Sequence, residues 1–130
     1  MCERPQERRT YALEMTLIKK QRMIVMKLSG EIDHHSAKMI RSTLETEIRR
    51  SGAINAALDL KEVTFMDSSG IGVIIGRYKT VSALGGSLII YNASNQIKRL
   101  LYMSGIQKIA VICDSLQEGI KLINGRHTVD

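Results

Sequence analysis

Hydrophobic and polar residues follow one another along this chain in patterns that predict alternating strands and helices. Two short apolar runs open the pattern, at residues 13–19 and 23–29. In the second run Ile24, Met26 and Leu28 occupy alternate positions, which is the period of a half-buried strand. Because only a few residues separate the two runs, they predict an antiparallel hairpin.

A helical spacing replaces the alternation after the hairpin. The apolar residues that recur on one predicted helix face are Ala37, Ile40, Leu44 and Ile48. Asp33 or Ser36 is suited to cap this helix, because a short polar side chain accepts hydrogen bonds from the first free backbone N–H groups. Gly52 is placed to end it.

The remaining chain repeats the order strand, helix three times. Predicted strands lie at 54–60, 87–91 and 109–113, and a largely apolar helix runs over about 71–84. The third helix follows a cap at Asn92 or Ser94. The apolar residues that we expect to face inward from it are Ile97, Leu100, Leu101 and Met103.

A capping-box pattern, Ser115 to Glu118, predicts the start of the last helix, and Gly125 is its predicted end. The element order is therefore ββαβαβαβα. Repeated strand-helix-strand units favour parallel pairing with right-handed crossovers. The chain is predicted to form one α/β domain with a mixed, mostly parallel sheet and an N-terminal hairpin.

The junction Asp67-Ser68-Ser69-Gly70 joins the central strand to the apolar helix. Small polar residues suit a helix start, where exposed N–H groups and the helix dipole both attract negative charge. From the residues alone, a serine here is a cap, a nucleophile or a site of phosphate attachment. The helix-weakening Gly72 and Gly76 suggest close approach by the sheet or by another protein.

Composition and charge exclude several classes of function. The chain has 130 residues, enough for one domain, and its only cysteines, Cys2 and Cys113, fit reduced thiols in a cytoplasmic protein. No apolar run of about 18 residues predicts a membrane span. The formal charge of +6 is spread along the chain without interleaved aromatics, so nucleic-acid binding is not favoured.

The sequence contains little that indicates an enzyme active site or a metal site. G-x-S-x-G is absent because Met66 stands where Ser68 would need glycine, and no phosphate-binding loop occurs. His34 and His35 lack a third ligand at metal spacing, and Cys113 fits a small buried hydrophobe. We expect no enzymatic activity, no cofactor and no metal.

Residues 65–79, Phe-Met-Asp-Ser-Ser-Gly-Ile-Gly-Val-Ile-Ile-Gly-Arg-Tyr-Lys, resemble the signature of STAS-domain anti-sigma factor antagonists. Residues 28–37 and 98–106 are similar to two further segments of that family, and the likeness is strongest to its sporulation members, which antagonise the anti-sigma F factor. The likeness implies a STAS domain over 13–124. It leaves a flexible N-terminal extension at 1–12 and a C-terminal tail at 125–130.

The resemblance implies a partner-switching regulator of transcription. The unphosphorylated antagonist would bind an anti-sigma factor, itself a serine kinase, and release the sigma factor. Phosphorylation of Ser69 would end that binding, and a PP2C-type phosphatase would restore it. The partner-binding residues implied are Asp67, Ser68, Gly70, Ile71, Gly72, Ile75 and Arg77. A loop at 34–36 is implied to lie near that surface.

Other interpretations remain open. One is a STAS regulatory module of a stressosome-like or other partner-switching assembly, which shares Ser69 but has a different kinase. A small serine hydrolase and a nucleotide-binding protein are less favoured, since no base and no phosphate-binding loop is visible in the sequence. For the anti-sigma factor antagonist a monomer is expected.

Overall fold

The computed structural model describes the backbone of residues 11–128 and the side chains of residues 12–125. Five strands form one sheet in the order β1-β2-β3-β4-β5. The strands are β1 (Tyr11–Ile18), β2 (Met23–Ile32), β3 (Asn55–Met66), β4 (Leu88–Tyr91) and β5 (Val111–Cys113). The helices are α1 (His34–Ser51), α2 (Ser68–Ala83), α3 (Asn95–Met103) and α4 (Leu116–Thr128).

The predicted element order and the mixed sheet are confirmed. β1 pairs with β2 antiparallel, and every other neighbouring pair is parallel. β1 begins at Tyr11, two residues before the predicted start. Between β1 and β2 a short 3-10 turn (Lys19–Gln21) leads into Arg22, whose backbone is left-handed with φ of 51°.

β3 is longer than predicted and continues to Met66. The charged residues Lys61 and Glu62 interrupt its apolar pattern, which hid the extension from sequence reasoning. A register shift in the β2–β3 ladder lets Glu31 pair with Phe65 and Ile32 with Met66. β3 therefore ends at the residue directly before Asp67, where the junction with α2 begins.

Two apolar layers enclose the sheet. One face carries the larger core, in which α1 contributes the predicted stripe of Ile40, Leu44 and Ile48, all with 0% exposure. The other face packs against α4 through Ile123, and Cys113 lies there as the predicted small buried side chain. The two helices α1 and α2 also pack on each other.

Two expectations about the later helices are wrong. Met103 is 80% exposed, because it lies at the last position of α3, off the face that buries Ile97 and Leu101. α4 passes through Gly125 and ends at Thr128. A helix glycine lowers stability by about 1 kcal/mol but need not end the helix. Residues 1–10, the greater part of the predicted extension, lie outside the described residues.

Candidate functional site

The N-terminus of α2 is capped by Asp67. Its backbone is extended (φ −115°, ψ −165°), and its Oδ1 accepts a hydrogen bond from the Ser69 N–H at 2.8 Å. The Asp67 carbonyl receives the N–H groups of Gly70 and Ile71 at 3.0 and 3.2 Å. Neither serine is the cap, because a carboxylate one residue earlier already has that role; both serines lie in the first turn of α2.

Ser68 and Ser69 present free hydroxyl groups at this helix start. Ser68 is exposed, and Asp67 and Ser69 are half-buried. Neither hydroxyl forms a hydrogen bond with any of the residues that the structure describes. The backbone of Ser69 is therefore held in place by Asp67, while its hydroxyl oxygen is available for modification.

Gly70 is where α2 approaches the sheet. A Cβ built on Gly70 would lie 2.3 Å from Met66 Cγ and 3.0 Å from the Ile32 carbonyl oxygen. A Cβ built on Gly72 or on Gly76 would have no neighbouring atom within 4 Å. Of the two alternatives predicted for Gly72 and Gly76, close approach by the sheet is wrong, and approach by another protein stays a prediction. The close contact with the sheet lies at Gly70.

The predicted partner-binding residues divide into two groups. Ser68 and Gly72 are exposed, and Asp67 and Ile75 are half-buried, so these four reach the surface. The other three, Gly70, Ile71 and Arg77, are buried beneath it. These three do not reach the surface in the structure, and the role of the whole set in partner binding stays a prediction.

Arg77 links α2 to α1. Its Nη1 donates to the Arg41 carbonyl at 3.1 Å, and its Nη2 lies 3.4 Å from Glu45 Oε1. The same carboxylate accepts from Thr80 at 2.7 Å and pairs with Arg49 at 2.7 Å. Only 4% of Arg77 is exposed, and its Nε has no hydrogen-bond partner among the residues that the structure describes.

The pKa values of Glu45 and Arg77 are both lowered, which favours the charged form of the carboxylate and disfavours that of the guanidinium. The hydrogen bond from Thr80 is the main cause that lowers the pKa of Glu45, helped by Arg49 and Arg77. Burial lowers the pKa of Arg77 and outweighs the opposing attraction of Glu45. A guanidinium nevertheless keeps its proton at any ordinary pH, so the buried charge depends on Glu45 for compensation.

We expect Glu45→Gln to lower the free energy of unfolding by about 1–2 kcal/mol at pH 7, because an amide compensates Arg77 less well than a carboxylate. Since the folded-state pKa of Glu45 is lowered, its contribution is present above its ordinary value of 4.5 and is lost as pH falls through the folded pKa. Urea unfolding of wild type and Glu45→Gln, from pH 7 down to acid pH, measures this difference in free energy.

The difference in free energy of unfolding between wild type and Glu45→Gln should become smaller as the pH is lowered. Glu47→Gln, which removes a carboxylate paired with the exposed Arg50, is the matched control and should have little effect. A pH-independent difference would show that Glu45 acts through packing instead of charge.

The start of α1 lies beside the start of α2. Ile32 and Met66 are paired at the ends of parallel strands, and the Asp67 N–H points to the Ile32 carbonyl at 3.4 Å. Asp33 and Ser36 form a capping box, with Oδ1 of Asp33 accepting from Ser36 N at 3.0 Å. Of the two predicted caps, Asp33 is the N-cap and Ser36 completes the capping box from the third helical position, so two acidic caps lie at one sheet edge.

The two histidines of this edge contact each other. The His34 and His35 rings meet edge to face, with centroids 5.7 Å apart. No cluster of three or more His, Cys, Asp or Glu that could hold a metal occurs in the part of the chain that the structure describes. No described histidine bonds the hydroxyl of Ser68 or Ser69. Within the described residues no helix is both long and apolar enough to cross a membrane.

Sequence reasoning missed Phe65 as a surface residue. It is the only phenylalanine, yet 45% of it is exposed, two residues before the α2 cap. Its partner across the ladder is the exposed Glu31. The two consecutive exposed positions, Thr64 and Phe65, follow from the register shift, which a single sequence does not reveal.

Comparisons with known proteins add to this geometry. The family model described as STAS domain matches residues 14–119. The anti-sigma F factor antagonist of Paenibacillus polymyxa is 42% identical over 93 residues, which cover 72% of this chain and 80% of that relative.

Two solved structures are also similar. The anti-sigma factor antagonist SpoIIAA in its unphosphorylated form has a TM-score of 0.65 and 25% identity, and covers 91% of this chain and 100% of its own. The Bacillus cell-fate determinant SpoIIAA in the phosphorylated form has a TM-score of 0.65 and 27% identity. The match covers 86% of this chain and 99% of that structure.

Proposed function

The chain belongs to the STAS-domain anti-sigma factor antagonists, and on that premise we propose that Ser69 is the phosphorylation site that switches its binding to an anti-sigma factor. The observation that carries the proposal is the open hydroxyl of Ser69, held in the first turn of α2 by its backbone bond to Asp67 at 2.8 Å. The chain acts as a binding partner in the cytoplasm and performs no catalysis itself.

The unmodified α2 start is the binding-competent form. Asp67, Ser68 and Gly72 present one carboxylate, one hydroxyl and a backbone without side chain, and the half-buried Ile75 adds apolar area. Exposed glycines allow another protein's backbone to approach the helix closely. The anti-sigma factor that binds here is also the ATP-dependent serine kinase, and its capture releases the sigma factor.

Phosphorylation acts locally. A phosphate on Ser69 adds about −1.5 to −2 charges beside Asp67. The helix N-terminus accommodates that charge within the antagonist, whereas an interface fitted to a neutral hydroxyl must desolvate it or meet it with like charge.

A PP2C-type phosphatase restores the binding-competent form. Because α2 places Ser69 half-buried and next to the exposed Ser68, the phosphoserine lies on the surface where a second enzyme can reach it. The alternative, a STAS module of another partner-switching assembly, uses the same serine with a different kinase.

Intact-protein mass after incubation with the cognate anti-sigma kinase and ATP tests the site. We expect wild type to gain one phosphate and Ser69→Ala to gain none, because the resemblance to the antagonist family implies modification of the second serine of Asp67-Ser68-Ser69-Gly70. Ser68→Ala is the matched control and should still be phosphorylated.

The other outcomes separate the interpretations. Phosphate on both wild type and Ser69→Ala would move the site to Ser68 or elsewhere. Phosphate on none of the proteins, together with intact folding by circular dichroism, would favour the module of another assembly.

A further inference from the structure

A cavity of about 490 Å³ opens at the edge of the sheet opposite Ser69, where α1 and α2 end. Its accessible apolar surface comes from Ile54, Ala83 and Leu84, Thr80 adds a hydroxyl, and the lining residues Ile48 and Ala53 are buried. Leu84 is 47% exposed, so an apolar side chain is left open to solvent at the mouth. This volume lies in the range of small-molecule sites, roughly 300–1,000 Å³.

The charged groups of the cavity all have one sign. Arg22 and Arg49 line it, and no carboxylate does. Arg22 forms no ion pair with a described residue. Arg49 engages Glu45 through its Nε alone, which leaves its two terminal nitrogens for another acceptor. A smaller cavity of about 240 Å³ shares Arg22 and adds Lys19.

Arg22 is held in place by its backbone. Its left-handed conformation is uncommon for a residue other than glycine, asparagine or aspartate. Its carbonyl accepts the N–H groups of Ile54 and Asn55, both at 3.0 Å, and its own N–H donates to the Lys19 carbonyl at 3.0 Å. The base of this side chain is therefore fixed at the cavity mouth, which reduces the entropy that a ligand must remove.

The C-terminal ends of α1 and α2 influence where an anion can bind in this cavity. α1 and α2 both direct their carbonyl ends toward this region, and those ends carry partial negative charge. An anionic group is therefore favoured beside Arg22, on the strand side of the mouth. An apolar body extending from it covers Ala83 and Leu84.

We propose that this cavity binds an organic carboxylate with an apolar body, whose carboxylate pairs with Arg22 and whose body packs against Ile54, Ala83 and Leu84. A guanidinium presents paired N–H donors that match the two oxygens of a carboxylate. The apolar wall excludes a purely inorganic anion as the best ligand. The site shares no residue with the Ser69 surface and does not depend on the proposed switch.

Octanoate is the probe for the test, with the full-length protein observed by amide-resolved NMR titration. We expect saturable shifts centred on Arg22, Gly52, Ala53 and Leu84. Arg22→Asn keeps a residue that tolerates the left-handed backbone, so it should fold normally. It should weaken octanoate at least ~10-fold, the usual effect of losing a charged hydrogen bond.

Matched probes and variants make the result decisive. Acetate lacks the body and octanol lacks the charge, and both should bind at least ~10-fold more weakly than octanoate. Arg99→Gln, at an exposed cation on α3, and Ser69→Ala should bind octanoate as wild type does. Equal binding of octanol or acetate, shifts spread over the whole surface, or no binding would each overturn the proposal.

Discussion

Replacing Ser69 with glutamate is expected to lower the affinity for the anti-sigma factor by ~100-fold or more, about 3 kcal/mol. The new carboxylate projects from the first turn of α2, next to the half-buried Asp67. Two like charges then share a surface that the partner must desolvate, which costs several kcal/mol in an interface. Isothermal titration calorimetry with the anti-sigma factor measures the change.

The same substitution should leave the fold intact. A negative charge near a helix N-terminus stabilises the helix by about 0.3–1 kcal/mol, which offsets repulsion from Asp67. We therefore expect the thermal unfolding midpoint of Ser69→Glu to lie close to that of wild type. Loss of binding with an unchanged midpoint is the signature of a local switch.

Ser82→Glu is the matched control, because it places the same charge at an exposed position near the other end of α2. It should bind the anti-sigma factor as wild type does. Equal losses from both variants would trace the effect to net charge. A large fall in the unfolding midpoint of Ser69→Glu would trace it to loss of structure, and either result would contradict the switch.

The predicted fold agrees with the structure where one periodicity dominates. The α1 stripe was predictable because Ile40, Leu44 and Ile48 are separated by polar residues and bounded by Asp33 and Gly52, which indeed cap its two ends. Such a segment has one way to bury its apolar face. The pattern therefore determines the packing as well as the element.

The burial of Arg77 shows where sequence reasoning fails. The run Arg77-Tyr78-Lys79 looks polar, and only the helical phase reveals that Arg77 lies on the same face as Gly70 and Ile74. A helical count from Gly70 would have predicted its burial. Its partner Glu45 belongs to another helix, so no local pattern identifies the contact.

The two glycines of the α2 start should respond in opposite ways to alanine. Gly70→Ala is expected to lower the free energy of unfolding by about 3 kcal/mol, since its Cβ would overlap Met66 and press on the Ile32 carbonyl. Gly72→Ala is expected to raise it by about 0.5–1 kcal/mol, because it meets no atom and alanine favours the helix. Urea unfolding of both variants checks this pair.

Binding separates the role of Gly72 from its effect on stability. A helix that selection optimised for stability alone would carry alanine at an exposed position with free space around it. If the absent side chain admits a partner's backbone, Gly72→Leu should remain as stable as wild type yet bind the anti-sigma factor at least ~10-fold more weakly. Ser82→Leu, also exposed on α2, adds the same apolar group away from that surface and should bind normally. Undiminished binding by Gly72→Leu would remove Gly72 from the partner surface and leave Asp67, Ser68 and Ile75 to form it.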